Sequence, residues 1–114
     1  MDRDSQAIVG EWLSNTGQIP EGYQEAHLQT EVAEFNHEWG NGRNPELLKQ
    51  ELADIAIAVL GLAVQYDFDM AEEIEKKMEV VHQKYNPADI NYFIEMGYTR
   101  SEAMAACKRI WQQQ

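Results

Sequence analysis

The chain is poor in cysteine and in positive charge, and it contains no long apolar run. Cys107 is the single cysteine among 114 residues, which excludes an internal disulfide framework and fits a reducing compartment. Nine Lys and Arg residues stand against 20 Asp and Glu residues, so the formal net charge is −11. Because phosphate contacts and anionic membranes both require basic side chains, this balance argues against nucleic-acid and membrane partners.

No apolar run approaches the roughly 18 residues of a membrane span, and the opening Met-Asp-Arg-Asp-Ser-Gln lacks the apolar core of a signal peptide. We therefore expect a soluble, cytoplasmic protein. Its length fits one domain, 1–114, and its hydrophobic fraction of 44% is too high for a disordered chain. Because strand-like alternation and internal repeats are also lacking, the fold class predicted is all-α.

Apolar spacing and helix-start signals predict six helices, the clearest being the Asn44-Pro45 start, which supplies an N-cap and a proline at the first helical position. Either Thr99 or Ser101 is expected to cap the last helix. In the third helix the segment 55–64 is apolar all round, so it should be buried on several sides. Its small residues Ala58 and Gly61 permit either close helix contact or room for a ligand. The predicted helices are 4–15, 21–39, 45–65, 70–84, 87–95 and 99–112.

Two acidic pairs at i,i+3 spacing stand out, Glu31 with Glu34 and Glu51 with Asp54. On a helical wheel Glu51 and Asp54 lie in the same arc as the apolar side chains of their helix, and the first pair borders an apolar stripe. A solvent-exposed acid would lie on the face of the helix opposite its apolar side chains. These acids instead lie on the apolar face or at its border. The stripe beside Glu31 consists of Leu28, Val32, Phe35 and Trp39.

Converging carboxylates near a core repel one another and are costly to bury unless they are paired or bind a metal. A hard divalent cation relieves both costs, and Mg²⁺ prefers carboxylate oxygens, water and substrate phosphates as ligands. The two acidic pairs therefore predict a Mg²⁺ site, formed by two helices, that holds a polyphosphate.

Four further side chains are candidate substrate contacts. His27 shares the acid-bearing face of its helix, and Trp12 is either a core anchor or a flat surface on which a base stacks. Lys77 and Lys84 either form i,i+4 pairs with neighbouring acids or reach the phosphates.

The pairs Glu31-Val-Ala-Glu34 and Glu51-Leu-Ala-Asp54, the second within a long apolar helix, resemble those of the MazG-type all-α nucleoside triphosphate pyrophosphohydrolases. That family includes dimeric dUTPases, dCTPases and phosphoribosyl-ATP pyrophosphatases. Tyr66-Asp-Phe-Asp69 and the helix from Lys77 to Tyr85 resemble the family's later motifs. The match covers about residues 24–86, within a core of 21–86, and residues 87–114 lie outside it.

The resemblance implies an antiparallel helical bundle completed by self-association into a homodimer or homotetramer. It implies a Mg²⁺-dependent hydrolase, with Mn²⁺ as a substitute, in which water attacks the α-phosphorus of a nucleoside triphosphate to give the monophosphate and pyrophosphate. House-cleaning of non-canonical or excess nucleotides is the expected role. Lys77 and Lys84 would contact phosphates, and Glu31, or else Glu38, would be the general base. The implied metal ligands are Glu31, Glu34, Glu51 and Asp54.

Three positions depart from the family pattern. Thr30 stands where the family has the first Glu of Glu-Glu-x-x-Glu, Val81 stands where it often has Asn, and Lys84 replaces Arg. The four implied metal ligands are intact, so hydrolysis is expected, whereas the missing Asn bears on which nucleotide is preferred.

Two alternatives use the same residues. Glu34-Phe-Asn-His37 and Glu79-Val-Val-His82 have the Glu-x-x-His spacing of di-iron carboxylate bundles, which also need a Glu from each of two other helices, and Glu51 supplies only one. The second alternative is a non-catalytic acidic interaction module, in which Mg²⁺ has no effect on melting.

Overall fold

A computed structural model describes residues 3–17 and 19–114, and within them it contains six α-helices and no strand. The all-α prediction is therefore confirmed. Every predicted helix is present, and the largest difference is at the second helix, which begins at Tyr23 rather than at residue 21. None of the described helices has the length and apolar character needed to cross a membrane. The helices are α1 (Arg3–Asn15), α2 (Tyr23–Gly40), α3 (Pro45–Gln65), α4 (Met70–Lys84), α5 (Pro87–Glu95) and α6 (Arg100–Gln112).

The helix starts follow local sequence signals. The side chain of Asn44 accepts a hydrogen bond from the backbone N–H of Glu46 at 3.0 Å, directly before Pro45. At α6 the N-cap is Thr99, whose hydroxyl accepts from the N–H of Glu102 at 3.1 Å while the Glu102 carboxylate accepts from the N–H of Thr99 at 3.0 Å. This reciprocal capping box satisfies two N–H groups that the helix leaves free.

The chain divides into two compact units, the first of which ends at Ala71. In this unit α1 and α2 both pack against α3, and Ala58, Leu60 and Ala63 of α3 are buried. The predicted burial of 55–64 on several sides is only partial, because Ile57 in the same segment is 44% exposed.

Gln6 ties α1 to the α3–α4 loop. Its side-chain amide donates to the carbonyl oxygen of Phe68 at 2.7 Å and accepts from the N–H of Met70 at 2.9 Å. One glutamine thus satisfies a loop carbonyl and the first N–H of α4, which fixes the exit of the chain from α3.

The second unit, Glu72–Gln114, holds most of α4 together with α5 and α6. The α5–α6 hairpin buries Ala103, Ala106 and Cys107, and its Phe93 and Tyr98 rings lie with centroids 5.2 Å apart. The interpretation of residues 1–114 as a single domain stays a prediction.

Candidate metal and substrate site

The α2–α3 hairpin brings acids from both predicted pairs together. Glu31 on α2 and Glu51 and Asp54 on α3 each place one carboxylate oxygen within 4.8 Å of the other two. A short loop, 41–44, makes the two helices neighbours, and the i,i+3 spacing keeps each pair on one face. The cluster therefore follows from helical periodicity and a short connection.

Two of these carboxylates are half-buried, those of Glu31 and Glu51. The Oε2 atom of each is buried and has no hydrogen-bond partner among the described residues. Because a buried carboxylate oxygen without a partner is costly, this donor set fits a hard cation that prefers oxygen ligands.

The raised pKa values of Glu31 and Glu51 also indicate that the acids of α2 and α3 lie close to one another. Burial raises the pKa of Glu31 above its ordinary value, and the charges of Glu34 and then Asp54 raise it further. Burial likewise raises the pKa of Glu51, followed by the charges of Glu34, Asp54 and Glu31. The charge of Glu34 thus acts on both half-buried acids, but exposed Glu34 is not part of the converging group of Glu31, Glu51 and Asp54, and its role as a ligand stays a prediction.

His27 lies one helical turn before Glu31 on α2. Its Nε2 atom is 3.0 Å from Oε1 of Glu31, and its ring centroid is 5.9 Å from that of Tyr23. Trp12 of α1 is 59% exposed, so it is not the core anchor that one interpretation predicted, and its flat surface is open to a ligand. Trp12 and His27 line the same small cavity.

The two predicted phosphate contacts lie on α4, in the second unit. Lys77 is exposed and forms no ion pair with a described residue, whereas its neighbour Lys76 is 3.2 Å from Glu72 and 3.4 Å from Glu73. The Nζ atom of Lys84 lies 5.3 Å from the ring centroid of Tyr85. Pairing with neighbouring acids on α4 is thus seen at Lys76 and not at Lys77, and a phosphate role for Lys77 and Lys84 stays a prediction.

Four other residues singled out in the sequence lie on α2 and α4. Glu38, the alternative general base, is half-buried on α2, and Val81 is half-buried on α4. Thr30 is exposed and donates its hydroxyl to the carbonyl of Ala26 at 3.0 Å. His37 of the di-iron alternative is exposed, lies 3.2 Å from the Asn41 side-chain nitrogen, and is outside the acid cluster.

Sequence reasoning missed Gln24, which is buried in the first turn of α2. It lies about two helical turns before Glu31, on the same face, and this spacing is the signal that could have found it. A Cβ atom added at Gly61 would meet its Oε1 at 2.7 Å, so the glutamine rests directly on the α3 backbone.

No family model, curated protein or solved structure matches the chain. The family assignment therefore depends on the resemblance of the motifs alone.

Proposed function

We propose that this chain is a Mg²⁺-dependent nucleoside triphosphate pyrophosphohydrolase of the MazG-like type. The observation that carries the proposal is the acid cluster, in which oxygens of Glu31, Glu51 and Asp54 converge within 4.8 Å. Acidic groups commonly cluster on protein surfaces without binding a metal. Here two of the buried oxygens also lack a partner among the described residues, and that second feature favours a cation.

We assign the following roles to residues of the chain. Glu31, Glu34, Glu51 and Asp54 hold the cation, and Mn²⁺ would satisfy the same oxygens. A cation bound there polarises the phosphoryl oxygens and lowers the pKa of the attacking water. Lys77 and Lys84 are proposed to contact the phosphates.

In the reaction, the oxygen of water bonds to the α-phosphorus and the α–β phosphoanhydride bond breaks. Nucleoside monophosphate and pyrophosphate leave. Glu31, or else Glu38, is the proposed acceptor of the proton from water, because a carboxylate beside the attacking water can serve as the general base. The hydrogen bond of Glu31 to His27 holds the Glu31 carboxylate in one orientation.

Self-association is part of the proposal. Among the described residues no large side chain is fully buried, and apolar side chains on three helices of the first unit stay exposed. An apolar groove of about 630 Å³ between α1 and α3 includes Ile8 and Ile57, which are 68% and 44% exposed. Exposed apolar surface on this scale is typical of an interface, and a second copy of the chain is the proposed occupant.

Sedimentation of wild type and Ile57→Glu tests this self-association. We expect wild type to be an oligomer and the introduced carboxylate of Ile57→Glu to dissociate it.

The test of function is pyrophosphate release from canonical and modified nucleoside triphosphates, with and without Mg²⁺. We expect release that requires Mg²⁺ and that is lost in Glu51→Gln. Glu11→Gln is the matched control, because Glu11 is an exposed acid of α1 outside the cluster and its change alters the net charge equally.

Two results would contradict the proposal. A folded protein that releases no pyrophosphate from any member of the panel, and whose melting does not respond to Mg²⁺, is an acidic interaction module instead. Tight, coloured binding of iron would favour the di-iron alternative.

A further inference from the structure

Gln24 has an unusual environment for a polar side chain. It is 3% exposed, and it takes part in none of the side-chain hydrogen bonds found among the described residues. Neither amide atom is among the fully enclosed side-chain atoms that lack a partner, so the amide group reaches accessible space and can meet a ligand. The side chain of Gln24 also packs closely against α3. Its amide oxygen lies where a Cβ atom at Gly61 would be in close contact, and only glycine leaves that space free.

The Gln24 side chain borders a small cavity of about 20 Å³ next to the acid cluster. Trp12, Tyr23 and His27 also line this cavity. Its volume accommodates one small group of atoms, about the size of a water molecule, and not a whole ring. Tyr23 is 52% exposed and does not line the α1–α3 groove proposed as the interface, so a flat ring can approach the cavity beside Tyr23 from solvent and present only its edge to the cavity.

The cavity is linked to the acids through His27. This residue lines the cavity with its ring and bonds Glu31, which belongs to the acid cluster. A ligand whose phosphates were held at the acids would therefore have its other end near the cavity that Tyr23 and Gln24 line.

We infer that Gln24 is a specificity-determining residue that reads the hydrogen-bonding edge of the nucleotide's base. The inference rests on the proposed function for the position of the phosphates. The amide oxygen of Gln24 lies against Gly61, whereas the amide nitrogen is farther from it, at 3.7 Å from the position of an added Cβ. We place this nitrogen against the base, where it would donate to an acceptor such as a ring carbonyl.

The first test compares kcat/KM for uracil-, thymine-, cytosine-, adenine- and guanine-containing triphosphates in wild type and Gln24→Met. Methionine keeps the length of the side chain but cannot donate a hydrogen bond. We expect the preference of wild type for its best base over the others to fall by roughly 10- to 100-fold, the usual effect of losing one buried hydrogen bond to a ligand. If kcat/KM falls by the same factor for every base, Gln24 only fills space and the inference is wrong.

The second test needs no turnover. Binding of uridine, cytidine, adenosine and guanosine is measured by calorimetry in Glu51→Gln and in Glu51→Gln/Gln24→Met. Nucleosides carry no phosphate, so this result is separate from hydrolysis and still judges Gln24 if no triphosphate is cleaved. We expect one nucleoside to bind Glu51→Gln more tightly than the double variant. Equal binding to both variants, or no binding to either, would overturn the inference, and equal melting temperatures exclude misfolding as the cause of a loss.

Discussion

The Nε2 atom of His27 lies 3.0 Å from Oε1 of Glu31, while Oε2 of the same carboxylate is buried without a partner among the described residues. One oxygen of Glu31 is therefore held by its own helix, and an oxygen of the same carboxylate lies within 4.8 Å of carboxylate oxygens of Glu51 and Asp54. A carboxylate oriented in this way is suited to share a cation, because its geometry is fixed before the ligand arrives.

Mg²⁺ is expected to stabilise wild type and not Glu51→Gln. Binding to the folded state alone stabilises it by about 2.7 kcal/mol when the free cation is at about 100 times its Kd, which raises the melting temperature by several degrees. The substitution removes a ligand and also a repelling charge, so the metal-free variant should melt above metal-free wild type. Thermal melting of both proteins across a Mg²⁺ series measures the two effects.

Glu11→Gln serves as the control for the loss of one negative charge. It should keep the response of wild type to Mg²⁺ because Glu11 is exposed and outside the cluster. A response in Glu51→Gln equal to that of wild type would place the cation elsewhere on this acidic chain.

Acidification should stabilise the acid cluster in the absence of metal. The pKa values of Glu31 and Glu51 are raised above their ordinary value of 4.5 by burial and by neighbouring carboxylates. A folded-state pKa above the unfolded one contributes stability that is fully present below pH 4.5 and is lost as pH rises through the raised value. The gain in melting temperature of Glu51→Gln over wild type should therefore shrink as pH falls from neutral towards 4.5. A constant difference across this range would show that the Glu51 pKa is not raised.

Tyr66→Phe is expected to have the opposite pH dependence. The Tyr66 hydroxyl donates to Oε1 of Glu25, Gln65 donates to the same oxygen at 3.1 Å, and the tyrosine bond is the main cause that lowers the Glu25 pKa. A lowered pKa contributes stability above the unfolded value of 4.5 and loses it as pH falls. Tyr66→Phe should thus melt below wild type at neutral pH and converge with it in acid, as a pH series of melting curves will show. A loss of equal size at every pH would mean that the ring matters and the hydroxyl does not.

Local signals in the sequence were sufficient for the helices and for the face of each helix that carries the acids. Asn44-Pro45 and Thr99 define helix starts through bonds that span two or three residues, so no tertiary information is needed. The i,i+3 spacing of Glu51 and Asp54 puts both acids on one face of α3 by periodicity alone, whereas their approach to Glu31 also depends on how α2 packs against α3.

Contacts between distant parts of the chain could not be predicted in this way. Gln24 meets Gly61, and Glu25 accepts from Tyr66, which is 41 residues away along the chain. Both contacts depend on how α2 and α3 slide along each other, and helical periodicity does not determine that. The exposure of Val32 and Trp39, at 39% and 48%, has a similar origin, since periodicity marks an apolar stripe without saying what covers it.

Gly61→Ala should destabilise the protein through Gln24. The added Cβ would lie 2.7 Å from the amide oxygen of a side chain that is 3% exposed, and such overpacking typically costs about 1–3 kcal/mol. Alanine is favoured over glycine in a helix by up to about 1 kcal/mol, which offsets part of this cost. Denaturant unfolding should show that Gln24→Ala/Gly61→Ala is more stable than the sum of its single changes predicts.

Gly40→Ala gives the helix-propensity effect by itself, because a Cβ there meets nothing within 4 Å. If Gly61→Ala is as well tolerated as Gly40→Ala, then the Gln24 side chain moves aside freely. Its amide would then not be held in one position, and recognition of the base by a fixed Gln24 amide would be contradicted.

Lys77→Ala should weaken substrate binding, and Lys76→Ala should not. Lys77 is exposed and has no ion pair among the described residues, so its ammonium is available for a phosphate, whereas Lys76 is already paired with Glu72 and Glu73. A charge-assisted hydrogen bond contributes about 1.5–3 kcal/mol, which corresponds to a rise in KM of roughly 10- to 100-fold. Steady-state kinetics on the best triphosphate, at saturating Mg²⁺, compares the two variants. The two substitutions are adjacent and remove the same charge from the same helix. An equal rise in KM for both variants would therefore indicate an effect of the net charge of α4. An unchanged KM in Lys77→Ala would show that this lysine does not contact the substrate.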